Sequence, residues 1–245
     1  MGNRVVFMSD VASGDRAPSD LITSVVNLVG TGPVMLGAYT LAEVTAVGGL
    51  IDWLERAPGP EPLAEAVRSL AARDLITTEP GEDQIEVRGD LGIALAFQQR
   101  SRIVLDARVT GTEPDTPWRH LLMPQPEQIT LEVRIDALGI HFYSLRKTGE
   151  ALRRLSEQLP GGERGGADAE LDAVLAASPR TALVTVTHWD DQGTRESSDL
   201  VLAEQDGQLH VFLRDPEQPK RLVAQALDDG EVRTVIERLL ARPAT

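Results

Sequence analysis

The chain of 245 residues contains no cysteine and only two lysines, Lys147 and Lys220. The absence of cysteine excludes disulfide bonds, thiolate nucleophiles and cysteine-ligated metal sites. The formal net charge is −14, and almost all positive charge is carried by arginine. An acidic chain with no segregated basic patch is unsuited to nucleic-acid backbones and to anionic lipid surfaces. We therefore expect a cytoplasmic protein that binds no nucleic acid.

Long hydrophobic runs are also missing. The longest uncharged stretch, residues 21–42, is interrupted by three glycines, a proline and an asparagine. Backbone breakers at that density argue against a helix in contact with lipid. Residues 1–10 contain too short an apolar run for a signal peptide. We predict neither membrane insertion nor an export signal.

The common catalytic signatures are absent as well. A phosphate-binding P-loop needs a Gly-Lys-Ser/Thr sequence, and neither lysine follows a glycine. The Gly-x-Ser-x-Gly elbow of serine hydrolases does not occur. Four histidines lie scattered through predicted strands with no partner at metal-ligand spacing: His120, His141, His188 and His210. We expect no catalytic residue, no metal and no cofactor.

One cluster, His188-Trp-Asp-Asp-Gln-Gly193, places two carboxylates beside an imidazole. It has two interpretations. Acid–base chemistry is one, because perturbed titratable groups gather at active sites. A hairpin turn between two strands is the simpler one, because Asp bonds to its own backbone and Gly accepts positive φ. An enzyme of unrecognised type, with a pocket on the sheet, therefore stays an alternative.

The first half of the chain predicts mainly helices. An N-terminal helix and loop occupy residues 1–33. Within the next unit, residues 34–100, Thr40-Leu-Ala-Glu43 forms a capping box, and apolar residues follow at helical spacing as far as Leu54. A second helix, a small hairpin and a third helix complete this unit. Residues 62–99 are also compatible with a winged-helix regulator, although the predicted wing is acidic where a DNA reader needs arginine or lysine.

The second half of the chain contains an internal repeat. Three pairs of segments align: 103–109 with 182–188, 121–123 with 200–202, and 131–135 with 209–213. The offset is 79 positions for the first two pairs and 78 for the third. Each copy continues into a further strand and an amphipathic helix. We predict two strand-and-helix units over residues 101–160 and 181–245, joined by a linker and helix over residues 161–180.

This order of elements resembles the EspG family, the cytoplasmic chaperones of actinobacterial type VII secretion. Leu70-Ala-Ala-Arg73-Asp-Leu75 is similar to a family stretch of leucine, two residues, arginine, a small residue and leucine, with Asp74 where glycine is usual. Residues 198–202 and 207–211, followed by a terminal amphipathic helix, are similar to the family's C-terminal half. The resemblance covers residues 34 to 241.

The resemblance implies one compact α+β domain. Its central antiparallel sheet has a quasi-twofold repeat, strands then helix in each copy, and is flanked by helical bundles. The implied function is to bind the apolar helical tip of a secreted helical-bundle protein and keep it soluble until export.

Such binding requires an apolar groove with a polar rim. Six apolar side chains on two predicted helices are our candidates for the groove: Leu152, Leu155, Leu159, Leu171, Val174 and Leu175. Each of them is equally explained by a place in the core. Trp118 is a further candidate, because it stands at the edge of an irregular loop that starts at Thr110. It could equally cover the sheet.

Overall fold

The structure is a computed structural model that describes residues 19–49, 58–77, 85–113, 116–190, 192–215, 217–218 and 220–241. Its helices are α1 (Ser19–Thr31), α2 (Leu41–Ala46), α3 (Pro60–Ala72), α4 (Gly89–Arg100), α5 (Thr148–Ser156), α6 (Leu171–Ala177) and α7 (Asp229–Ala241). Its strands are β1 (Val34–Thr40), β2 (Ile76–Thr77), β3 (Glu86–Val87), β4 (Ile103–Thr110), β5 (Arg119–Pro124), β6 (Ile129–Ile135), β7 (Ile140–Lys147), β8 (Glu163–Arg164), β9 (Arg180–Trp189), β10 (Arg195–Gln205), β11 (Gln208–Arg214) and β12 (Leu222–Gln225). The predicted α+β class is confirmed.

A ten-stranded sheet runs in the order β1-β7-β6-β5-β4-β9-β10-β11-β12, and β8 adds a short parallel pairing to β11. All other pairs in this sheet are antiparallel. Strands β4 to β7 form one meander and β9 to β12 form the other, and they meet where β4 pairs with β9. Each meander is followed by a helix, α5 or α7. The strand order is therefore that of the predicted quasi-twofold repeat.

The register of the repeat differs from the sequence alignment in the second and third strands. Leu105 of β4 pairs with Leu122, and its counterpart in β9, Val184, pairs with Leu200. Leu122 and Leu200 are therefore equivalent, at an offset of 78 positions rather than the expected 79. Their partners in the third strands are Glu132 and Leu213, an offset of 81 rather than 78. A slip of an odd number of residues exchanges the two faces of a strand. The expected alignment of these strands was wrong for that reason.

Helices cover the two faces of the sheet unequally. On the face that we call the back, α5 and α7 pack against Leu105, Val184 and their neighbours in the central strands. On the other, the front face, α1 to α4 pack on the first meander, around Leu131 and Tyr143. The front of the second meander carries only α6 among the described helices, packed on Ala203 and Phe212. Side chains of successive strand residues alternate between these two faces.

The uncharged stretch near the start divides into a helix and a strand. Helix α1 ends at Thr31, and β1 then pairs with β7 at one edge of the sheet. A bulge interrupts this pairing between Met35 and Gly37, and Gly37 has a φ of 107°, which side-chain-bearing residues rarely adopt. No helix among the described residues is long and apolar enough to cross a membrane.

The predicted capping box is present at the start of α2. The Thr40 hydroxyl accepts a hydrogen bond from the Glu43 backbone N–H, and the Glu43 carboxylate accepts one from the Thr40 backbone N–H. Glu43 also accepts hydrogen bonds from Ser69 at 2.8 Å and from Arg73 at 2.9 Å, both near the end of α3. Arg73 therefore ties α3 to α2. Positions 51 and 54, expected to continue this helix, lie outside the described residues.

Asp74, which follows this arginine, has a φ of 56°. That is the left-handed conformation, which glycine adopts without the steric cost that a Cβ atom brings. Leu75 next donates its backbone N–H to the Leu70 carbonyl and so closes the end of α3. A glycine at position 74 would therefore adopt the same backbone conformation without that steric cost.

Candidate partner-binding surface

The three leucines proposed on the first helix are core residues. Leu152, Leu155 and Leu159 are 7%, 2% and 6% exposed, and they pack between α5, α7 and the back of the central strands. Side chains buried to this extent cannot contact a partner unless the helix leaves the sheet. The structure thus contradicts the prediction that they line a groove.

The other three candidates lie on the opposite side of the sheet. Val174 of α6 is buried against Ala203 and Phe212, with Leu171 and Leu175 half-buried beside it. These residues face the front, whereas the leucines of α5 face the back. A ten-stranded sheet separates the two sets, and they cannot form a single groove. The prediction failed because helical spacing identifies an apolar face without identifying which face of the sheet it covers.

Trp118 is the candidate that stays at the surface. Its side chain is 37% exposed, and its indole Nε1–H donates a hydrogen bond to the Asp136 carbonyl at 2.9 Å. Its backbone continues the pairing of β5, because Val109 donates to the Trp118 carbonyl and Trp118 donates to the Ile135 carbonyl. Trp118 is therefore fixed at the end of a strand. The loop before it includes positions 114 and 115, which lie outside the described residues.

A different surface emerges at the centre of the front face. The innermost strands β4 and β9, with the adjoining β10, leave a row of side chains that no described helix covers. We call this row the open strip, and it consists of Arg108, Leu183, Thr185, Thr187, Ser197 and Asp199. Leu183 is 40% exposed, although its neighbours Ala182 and Val184, which face the back, are 1% and 0% exposed. The back of β9 is thus buried, while its front is half-buried on either side of the exposed Leu183.

Four of the five polar side chains in the open strip already have hydrogen-bond partners, within the strip or beside it. The hydroxyls of Thr187 and Ser197 are 2.9 Å apart across β9 and β10. Arg108 donates to Asp106 at 3.2 Å, and Asp199 accepts from Arg214. The open strip therefore offers paired charges and short hydroxyl side chains around one exposed leucine. Such a surface can accept an apolar side chain without leaving a charge unpaired.

The dimensions of the open strip match a helix. Three antiparallel strands at a spacing of about 4.8 Å place the axes of β4 and β10 about 10 Å apart. An α-helix with its side chains has a diameter of about 10–12 Å. Along β9, the distance from Leu183 to Thr187 corresponds to about 14 Å, or roughly nine residues of helix. The open strip therefore has about the width of one helix and the length of a short helical segment.

Sequence reasoning missed this surface, although a signal for it existed. Residues 181–187 read Thr-Ala-Leu-Val-Thr-Val-Thr, so one face of the strand is apolar and the other carries three threonines and Leu183. That alternation is typical of a strand with one face open to water. The pattern did not show that the open face lies at the middle of a large sheet, where helices flank it on both sides.

The cluster at residues 188–193 is a hairpin turn. The Asp190 carboxylate accepts hydrogen bonds from the backbone N–H groups of Gln192 and Thr194, at 2.9 and 2.8 Å. The His188 ring is bonded through Nε2 to the Leu239 carbonyl at 2.8 Å and so connects the strand to α7. Both side chains have structural partners, which favours the turn interpretation; position 191 lies outside the described residues.

A surface cavity of about 670 Å³ lies beside the turn between β6 and β7. The described residues that line it are Thr40, Leu41, Ala42, Pro58, Gly59, Leu138, Gly139 and Ile140. None of these side chains titrates, and the one hydroxyl, that of Thr40, caps α2. The described part of the chain likewise contains no group of three or more His, Asp or Glu side chains placed to hold a metal ion.

The arginines of the helical unit also have acidic partners. Arg68 pairs with Glu65, Arg73 with Glu43, and Arg88 with Glu86. A winged helix that reads DNA needs such side chains free to meet phosphates. The short hairpin of β2 and β3 is present, but most of the predicted wing, residues 78–84, lies outside the described residues. Nothing in the described unit favours nucleic-acid binding.

A comparison with protein-family models gave no match for this chain, and a search of curated proteins gave none either. The resemblance to the EspG family therefore depends on the residues quoted for it. It stays a hypothesis about function.

Proposed function

We propose that this protein is a cytoplasmic chaperone of a type VII secretion system, which holds the helical end of a secreted helical-bundle protein. One observation carries the proposal: among the described residues, no helix covers the open strip on the central strands of the ten-stranded sheet, and helices pack on the sheet to either side of it. The strip is about as wide as one helix, and it carries one exposed leucine, Leu183.

The chemistry of the open strip suits an amphipathic helix. Leu183 supplies the apolar contact, and burying one leucine side chain contributes about 1.5–3 kcal/mol. The hydroxyls of Thr185 and Ser197 can bond to polar groups at the border of such a helix. Because the charges beside them are already paired, the affinity comes from buried apolar area, while the net charge of −14 governs mainly the rate of encounter.

Affinity purification from the native cells, with and without a substitution in the open strip, tests this proposal. We expect wild-type protein to retain a secreted protein rich in helix, and Leu183→Asp to lose it. Leu183 is exposed, so the variant should keep its circular dichroism spectrum. A second variant, Thr185→Arg, fills the same surface with a long charged side chain and should have the same effect.

Leu138→Asp is the matched control, because Leu138 is 85% exposed and lies at the turn between β6 and β7. This control should retain the partner. The proposal is wrong if Leu183→Asp is folded and retains the helical partner as well as the control does, or if wild-type protein retains no secreted protein.

A further inference from the structure

Helix α6 covers a small apolar surface on the front of the second meander. The strand residues beneath it, which we call the covered surface, are Val201, Ala203, Phe212, Leu222 and Ala224. The side chains that pack on them from above belong to α6 and the residues just before it: Ala169, Leu171, Val174 and Leu175. Ala203 and Phe212 are 0% and 1% exposed. The covered surface thus accepts an amphipathic helix, because one is seated on it.

The covered surface continues the open strip. Val201 lies directly opposite Leu183 of β9 and, on its other side, directly opposite Phe212 of β11. Residues that oppose each other in antiparallel strands point to the same face. Leu183, Val201 and Phe212 therefore form one row of apolar side chains across the front. With α6 in place, Leu183 is the exposed member of this row, and without α6 the whole row would face a partner.

Helix α6 is held to the sheet by few contacts. It has seven residues, and Val174 is its one buried side chain. Isolated helices shorter than about 12–15 residues are marginal in water. Among the residues that the structure describes, no side chain caps the start of α6, where Glu170 is the N-cap. The conformational entropy gained on release opposes these few contacts, so local opening of α6 costs far less than unfolding of the domain.

The chain on either side of α6 is anchored in the sheet. Before the helix, the Gly165 backbone N–H donates to the Leu209 carbonyl at 2.9 Å, next to the pairing of β8 with β11. After the helix, β9 begins at Arg180. Residues 166–179 can therefore leave the front face as a loop with both ends fixed, and no strand pairing has to break.

A buried nitrogen beneath this segment also favours opening. His210 lies opposite Ala203 on the front and is 8% exposed. Its Nδ1 is buried without a hydrogen bond among the described residues. A buried polar atom without a partner destabilises the closed arrangement. Water that enters when the segment leaves can supply the missing hydrogen bond.

We propose that α6 is an internal stand-in for the partner's helix. It leaves the covered surface in a minor population of the free protein, and the amphipathic helix of the partner takes its place. This inference rests on the proposed function and extends its site from the open strip to the covered surface. The apparent affinity is then the intrinsic affinity reduced by the open fraction. A partner without an apolar helix face cannot replace α6, so the exchange selects for amphipathic helices.

Thiol labelling of the free protein tests the opening of α6, because the chain contains no cysteine. Ala203→Cys places one thiol beneath α6, and the matched control Ala182→Cys places one on the back face, where Ala182 is 1% exposed in the main core. Iodoacetamide should modify Ala203→Cys about 100-fold faster than Ala182→Cys. Equal rates for the two thiols, with unchanged circular dichroism spectra, overturn the inference.

Two substitutions in α6 should change the labelling rate of Ala203→Cys in opposite directions. Glu170→Asp keeps the charge and supplies a better N-cap, so labelling should slow by about fivefold. Val174→Ala removes part of the one buried side chain, so labelling should accelerate by about tenfold. A labelling rate that neither substitution changes shows that α6 does not control access to the covered surface, and it overturns the inference.

The same two substitutions, without the cysteine, test the exchange of α6 for the partner. Retention of the secreted protein that wild type binds in native cells should rise in Val174→Ala and fall in Glu170→Asp. The factors should match those of the labelling rates, because both follow the open fraction. Unchanged retention in both variants, together with loss in Leu183→Asp, overturns this inference and leaves the proposed function standing. If wild type retains no secreted protein, the proposed function fails and this inference fails with it.

Discussion

Substitution of Glu132 by glutamine should destabilise the protein strongly, although it removes no heavy-atom volume. The Glu132 side chain is 2% exposed. Its carboxylate oxygens lie 2.7 Å from Arg146 Nε and 3.8 Å from Arg154 Nε. A glutamine keeps one oxygen acceptor for Ser144 or Arg146 but removes the negative charge. The buried guanidinium groups would then share a single carboxylate, that of Glu150.

Removing one partner of a buried ion pair costs about 3–5 kcal/mol, because the remaining charge is left uncompensated. Arg146 retains Glu150 at 2.8 Å, which places the expected cost at the lower end, about 3 kcal/mol. For a chain of this length, 1 kcal/mol corresponds to about 2–4 °C in Tm. The expected loss is therefore about 6–12 °C.

Thermal and urea unfolding followed by circular dichroism would measure this loss. Glu157→Gln, at the C-terminal end of α5, is the control, since Glu157 and Arg153 form an exposed pair worth about 0.3–0.5 kcal/mol. The reasoning about the buried cluster is refuted if the free energy of unfolding of Glu132→Gln lies within about 0.5 kcal/mol of the wild-type value, the range expected for a surface change.

Three other predictions follow from particular residues. Leu155→Ala should lower the free energy of unfolding by about 2–5 kcal/mol, because Leu155 is a core residue. A loss under about 0.5 kcal/mol, as expected for a substitution at exposed Leu138, would show that Leu155 is not in the core. Asp74→Gly should raise stability by about 0.5–1 kcal/mol while Asp74→Ala lowers it, and urea unfolding should show these opposite signs. Burial lowers the pKa of His120 from 6.5 to about 4, so the folded protein loses up to about 3 kcal/mol of its free energy of unfolding as the pH falls from 6.5 towards 4. His120→Leu should remove this part of the acid sensitivity. An unchanged dependence of stability on pH in that variant would contradict the prediction.

The repeat could be predicted from the sequence because β4 and β9 alternate clearly. Their back-facing residues are buried and their front-facing residues are polar around Thr185, so the period is visible. In β5 the period is not visible, because three successive residues, Leu121, Leu122 and Met123, are all apolar and all at most 1% exposed. When both faces of a strand are covered, a slip of one residue leaves the hydrophobic pattern unchanged.

The candidate groove could not be predicted, for a different reason. The helices containing Leu155 and Val174 were correctly predicted as amphipathic, but they pack on opposite faces of the sheet. The path of the connection between them decides this, and helical periodicity carries no information about it. Leu183 was overlooked because a leucine among threonines reads as part of an ordinary solvent-facing strand.

Photo-crosslinking in the native cells tests most directly whether the open strip holds a helical partner. A photoreactive benzoylphenylalanine replaces Thr185 in one version of the protein, Ser197 in a second and Leu138 in a third, and the adducts are identified by mass spectrometry. Our account predicts adducts between positions 185 and 197 and a helical segment of a secreted protein, with none at position 138. Adducts at position 138 alone, or no adduct at position 185 while a secreted protein still co-purifies, would contradict it.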